Sequence, residues 1–166
     1  MKISYNWLKT YLNSDLSIEK IASLLTDLGL EVESTSFYES VKGSLEGVVV
    51  GKVISCSKHP NADRLKITKV KVSDDEILQI VCGAPNVKKG QKVPVALAGS
   101  KLHTYNGDEI KIKSSKIRGE LSNGMICAED ELGLGESHDG ILVLKKNIPL
   151  GTNCSDIFDI YKDHIF

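Results

Sequence analysis

Aromatic residues are scarce in this 166-residue chain, at 5% of positions, and between Glu39 and Ile157 the only one is Tyr105. A surface that stacks successive bases of a single strand needs rings, so the middle of the chain is excluded from that mode of recognition. Cysteine is sparse too: Cys56, Cys82, Cys127 and Cys154 are scattered, without the density of a disulfide scaffold, which fits a reducing cytoplasm. Only Cys56-Ser57-Lys58-His59 approaches metal-ligand spacing, and it has no second pair. These thiols are therefore expected to be buried on strands, with no metal. Apolar runs such as 47–50 and 141–144 are far too short to cross a bilayer. The opening Met1-Lys2-Ile3-Ser4-Tyr5 has no apolar core, so no signal peptide is expected.

Catalytic and nucleotide-cradling motifs are missing as well. No Gly-x-Gly-x-x-Gly leads from a strand into a helix, and there is no Gly-x-x-x-x-Gly-Lys-Ser/Thr. Ser137-His138-Asp139 has the letters of a catalytic triad, but adjacent residues cannot place three side chains in relay geometry. Its flanks also miss the nucleophile elbow, so a polar loop is expected and no catalytic residue is named.

What is present is ordinary globular composition, 41% hydrophobic and 26% charged, with an uneven distribution of charge. Residues 52–118 carry 14 Lys and Arg against 6 Asp and Glu, a surplus of eight. Residues 1–40 and 152–166 together hold four lysines against nine acids, a deficit of five. A basic middle between acidic ends points to a middle that meets a polyanion.

The hydrophobic pattern divides the chain similarly. Ser4 opens a short helix, and Ser17 caps a second, with Ile18, Ile21, Leu24, Leu25 and Leu28 on one face and Gly29 as its stop. Residues 30–37 alternate as a strand, and 41–44 read as a boundary loop. From there to about residue 150 the pattern becomes short strands and turns, at 47–58, 64–72, 76–81, 92–98, 101–105 and 109–113. Asn106-Gly107 between the last two marks a hairpin. In 64–72 the apolar frame slips by one between Ile67 and Val70, which predicts a bulge or sharp bend of the kind closed barrels use. The fold class is therefore mainly β with an α+β flank, the β part being a small barrel of the OB type. The helix at 17–28 needs cover, and the apolar tail Ile157, Phe158, Ile160, Ile165 and Phe166 can supply it. The expected domains are 1–40 with 152–166, discontinuous, and a barrel over 41–151. OB barrels bind oligonucleotides across a strand face. With lysines and arginines from Lys58 to Arg118 and almost no rings, this one is expected to read the phosphates and shape of a folded RNA.

Three strings add a resemblance. His59-Pro60-Asn61-Ala62-Asp63-Arg64-Leu65, Val81-Cys82-Gly83-Ala84-Pro85-Asn86-Val87, and Lys116-Ile117-Arg118-Gly119 with Ser122-Asn123-Gly124-Met125 resemble the tRNA-binding module of some methionyl-tRNA synthetases and free-standing tRNA-binding proteins. With the opening Met1 to Leu8 and Leu28-Gly29-Leu30-Glu31-Val32-Glu33, the whole chain is similar to the N-terminal part of bacterial phenylalanyl-tRNA synthetase β subunits. That resemblance implies an OB module inserted in an incomplete α/β domain of a longer protein. It implies a partner α subunit in an α2β2 assembly, which carries the ATP and magnesium chemistry, leaving no cofactor here. It also implies RNA-facing positions at Arg64, Asn86, Lys116, Arg118, Ser122 and Met125. The alternatives are a module that braces neighbouring protein domains, or a stand-alone tRNA-binding protein.

Overall fold

In the computed structural model, which describes residues 1–166, two helices and eleven strands form. They are α1 (Tyr5–Lys9), α2 (Ile18–Asp27), β1 (Ser36–Glu39), β2 (Val48–His59), β3 (Ala62–Lys71), β4 (Ile77–Cys82), β5 (Lys92–Ala96), β6 (Lys101–His103), β7 (Glu109–Lys111), β8 (Ser115–Ile117), β9 (Glu120–Ser122), β10 (Met125–Ile126) and β11 (Lys162–Ile165). They belong to two compact units: 1–40 with 160–166, and 41–159.

The larger unit is built on an antiparallel sheet in the order β10-β5-β2-β3-β4. β-Branched side chains fill its interior because they pack on a pleated surface with little rotamer loss. Val53, Val70, Val72, Ile80, Val93, Val95 and Ile126 form the core, each burial contributing about 1.5–3 kcal/mol. The sheet curls so that its edge strand β4 meets the segment after β8. The Val81 N–H donates to the Ser122 hydroxyl at 3.1 Å, and the Asn123 N–H donates to the Gln79 carbonyl at 2.8 Å. An edge that would otherwise stay unpaired is thereby closed, as an OB-type barrel requires.

The frame slip in β3 has a different cause from the bulge or sharp bend expected there. Thr68, fully buried, takes the interior position between Lys66 and Val70, and its hydroxyl donates to the Ile80 carbonyl at 2.8 Å. A satisfied hydroxyl is tolerated inside, so β3 needs no extra residue. The register shift lies opposite, on β2, between Val53 and Ser55. A second difference concerns residues 152–159, expected with the flank. The Val50 N–H donates to the Thr152 carbonyl at 2.9 Å, and Val49 bridges to Asn153, so this stretch belongs with the barrel. The helix expected near 155–160 is a single 3-10 turn, Cys154–Asp156.

In the smaller unit, Ser4 and Ser17 cap α1 and α2 by accepting from the Trp7 and Lys20 amides. Strand β1 is confined to Ser36–Glu39, shorter than the alternation at 30–37 predicted, because its partner β11 offers only four residues to pair with. On the other side of β11, Ile3 and Phe166 exchange backbone hydrogen bonds at 2.9 and 3.0 Å. Along α2 only Ile21 is buried; Leu24 and Leu28 remain exposed.

Asp163 of β11 is the polar hub of this unit, 3% exposed. It accepts from the Ser4 hydroxyl, the Asn6 amide at 2.9 Å, the Tyr161 hydroxyl at 2.7 Å and its neighbour's amide, His164, at 2.7 Å. Burial pushes its carboxyl up, but these donors together outweigh it and hold it below the usual carboxylate range. The stabilisation of a depressed carboxyl is complete above its unfolded pKa and is lost as pH falls through the folded value. Asp163→Ala is accordingly expected to destabilise the smaller unit by about 3 kcal/mol at neutral pH. Asp163→Asn should also flatten the fall in melting temperature below pH ~4. Thermal unfolding followed by circular dichroism between pH 2.5 and 7 measures both; an Asn variant with the wild-type acid profile would remove Asp163 from this role.

Candidate nucleic-acid interface

Two turns lie next to exposed cations, Lys58 and Arg64 flanking one and Lys116 and Arg118 in or beside the other. The first joins β2 to β3 through Pro60 and Asn61. The second joins β8 to β9 through Arg118 and Gly119, both at positive φ, 52° and 97°. Such a two-residue turn is the mirror-image type that matches strand twist. Glycine adopts it freely, whereas arginine there is strained by about 1–3 kcal/mol. The turn leaves the exposed Arg118 side chain at the hairpin tip.

His59 locks these turns side by side. It is 5% exposed; its Nδ1 accepts from the Asn61 amide at 3.0 Å and its Nε2 lies 3.1 Å from the Ile117 carbonyl. Both bonds are satisfied by the neutral tautomer with its proton on Nε2. At Gly119 an added Cβ would sit 3.9 Å from the side-chain Nδ2 of Asn61, so the two loops are neighbours. The strings containing His59 and Lys116, far apart in sequence, thus form one surface.

The basic residues divide by what they touch. Lys66 donates to the Pro85 and Val87 carbonyls at 3.0 and 3.2 Å, and Lys92 donates to the Ile148 carbonyl, so these cations fasten loops to the barrel. Lys71 pairs with Asp74 at 3.3 Å and Lys111 with Glu109 at 3.8 Å. Lys58, Arg64 and Lys69 on β2 and β3 are exposed without a protein partner, as are Lys113, Lys116 and Arg118 on and beside the β8–β9 hairpin. Unpartnered, exposed cations are the ones able to exchange counterions for phosphates.

Of the six positions expected to face RNA, Arg64, Lys116 and Arg118 are exposed in this cationic region. Asn86 is tied to the fold: its Oδ1 accepts from the Ile141 amide and its Nδ2 donates to the Ile141 carbonyl, both at 2.9 Å. Ser122 is 3% exposed, and besides accepting from Val81 it donates to the Gly124 carbonyl at 3.2 Å. Both side chains therefore hold the fold, Ser122 in the interior, while half-buried Asn86 keeps one N–H and one oxygen lone pair uncommitted. Met125 is half-buried on β10 and lines a cleft of about 560 Å³ beside the hairpin. Sequence reasoning missed that cleft because its lining comes from four separate segments.

Elsewhere, His138 pairs with Asp130 at 2.8 Å rather than with its neighbours Ser137 and Asp139, and that hydrogen bond raises its imidazole above the ordinary value. Tyr105, half-exposed, is tied to Glu136, whose hydrogen bond and charge raise its hydroxyl. Cys82, Cys127 and Cys154 are buried and Cys56 half-buried. Burial pushes the Cys154 thiol up to about 12 and raises Cys82 and Cys127 as well, so none is a thiolate at neutral pH.

Comparison with known proteins places this barrel. A family model described as "Putative tRNA binding domain" matches residues 48–153. The chain is 52% identical over 166 residues to the phenylalanine–tRNA ligase beta subunit of Bacteroides fragilis, covering 99% of this chain and 20% of that protein. It is 47% identical over 167 residues to the corresponding subunit of Salinibacter ruber, covering 97% and 20%. The chain therefore spans about a fifth of the length of these relatives. Among solved structures, a MetRS related protein from Pyrococcus horikoshii aligns with a TM-score of 0.45 and 21% identity, over 63% of this chain and 84% of that one.

Proposed function

The chain belongs to the tRNA binding domain family, and on that premise we propose that its barrel binds the folded body of a tRNA by its phosphates, with Arg64, Lys116 and Arg118 in contact. The observation that carries this reading is His59, buried between Asn61 and Ile117, which holds the turn flanked by Lys58 and Arg64 beside the Arg118 hairpin. A near absence of rings on the barrel favours a folded RNA over a single strand. The relatives are phenylalanine–tRNA ligase beta subunits, which supports reading the parent assembly as a cytoplasmic ligase that charges tRNA in translation. The chemistry there, using ATP and magnesium, belongs to a partner α subunit in an α2β2 enzyme, and the segment alone forms no aminoacyl-adenylate.

Filter-binding titration of the 166-residue chain with folded tRNA, at two salt concentrations, tests the reading. The expected dissociation constant is about 10⁻⁴–10⁻⁶ M near physiological salt, tightening steeply as salt is lowered. A heat-denatured RNA of the same length should bind less well. Absence of binding at low salt, or binding indifferent to salt, would overturn it.

A further inference from the structure

The cleft beside the hairpin has a chemistry that phosphate binding leaves unused. Its lining includes Pro85, Ile112, Ile117 and Met125, with Lys111, Lys113 and Glu131 as charged members. Aliphatic walls suit a flat apolar face, and a volume of about 560 Å³ is ample for one nucleobase with its ribose. Lys113, and Lys116 next to the lining residue Ser115, place positive charge where flanking phosphates would run. Glu131 is the discriminating feature. One of its carboxylate oxygens accepts from the Ala128 amide at 2.7 Å, and the other has no protein partner and is not sealed off by burial. A carboxylate repels phosphates, so in a basic cleft it suits a ligand edge that carries N–H donors. Among the bases, guanine offers two adjacent donors, at N1 and N2, to such a group.

We infer that this cleft receives one unpaired nucleobase of the bound RNA, guanine by preference, with Glu131 accepting from its N1–H and N2–H edge. The inference rests on the RNA-binding reading above and adds a single point of base selectivity to a surface otherwise indifferent to sequence. The aliphatic walls take the part that stacked rings take in other single-strand sites.

The test is fluorescence anisotropy of the 166-residue chain with labelled RNA hairpins that are identical except at one bulged position. The bulge is guanosine, inosine or uridine, and a fully paired hairpin completes the set. The bulged guanosine is expected to bind about tenfold or more tighter than the uridine bulge or the paired hairpin, the discrimination a good base-edge pair provides. Inosine, which lacks the N2 amine, should lose most of that gain without any change to the protein. Glu131→Gln, whose amide oxygen can still accept from Ala128, should erase the preference for guanosine over inosine and uridine while the paired hairpin binds no more weakly than to the wild type. Equal, salt-dependent affinity for all four hairpins would overturn the cleft assignment and leave phosphate binding standing. A guanosine preference that survives Glu131→Gln would overturn the role of Glu131 and with it the proposed recognition. No salt-dependent binding to any hairpin would overturn both readings.

Discussion

Replacing Arg64, Lys116 and Arg118 together with alanine is expected to lower tRNA affinity about 10²–10³-fold at ~0.1 M salt and to flatten the slope of log affinity against log salt by about three units. Each removed cation leaves roughly one phosphate un-neutralised, and each contributes close to one unit of slope. The three are exposed and unpartnered, so their loss should leave the fold intact. Lys71→Ala is the matched control, because that cation already faces Asp74 and should change the slope little. Arg118 permits a sharper separation. Asparagine accepts the left-handed conformation far better than arginine does. Arg118→Asn should therefore raise the melting point slightly while weakening RNA binding, whereas a purely structural residue would lose or gain both together. Slopes unchanged in all three single variants would remove these residues from the interface.

Gly124→Ala is expected to be among the most damaging single changes to the barrel, costing about 3–5 kcal/mol. Its φ of 138° is hostile to a side chain, and an added Cβ would stand 2.8 Å from the backbone carbonyl oxygen of Ala96. That neighbour is backbone within the β5–β10 pairing and cannot step aside. Ser122→Ala, two residues earlier, should cost about 1–3 kcal/mol by leaving the Val81 N–H without an acceptor at the closure of the barrel. Urea unfolding of each variant measures both effects as a shift in midpoint. A Gly124→Ala midpoint equal to wild type would mean the closure relaxes more readily than its geometry allows. The Ser-Asn-Gly-Met string thus has a structural reason of its own, independent of RNA.

Much of the fold was legible because its signals are local. Ser4 and Ser17 cap helices through amides three residues away. The β-branched runs mark β2 to β5, and Asn106-Gly107 marks the β6–β7 hairpin. The β8–β9 hairpin escaped notice because Arg118-Gly119 lacks the Asn-Gly or Asp-Gly signature and its strands are three residues long. The extent of β1 escaped because strand length is set by the partner strand, not by alternation within the strand itself.

For the site the division is cleaner. From the sequence alone followed the excess of positive charge in the middle of the chain, the poverty of rings that turns it away from single-strand stacking, and the three strings that mark the family. Only the tertiary structure decided which cations remain available. Lys66 is consumed by carbonyls 19 and 21 residues away, Asn86 is tied to Ile141 across 55 residues, and His59 joins its turn to the Arg118 hairpin across 58. Charge and ring count are sums over residues and survive any folding of the chain. Availability depends on whether a donor meets an acceptor in space, and with partners so far apart in sequence only the closed barrel determines which do.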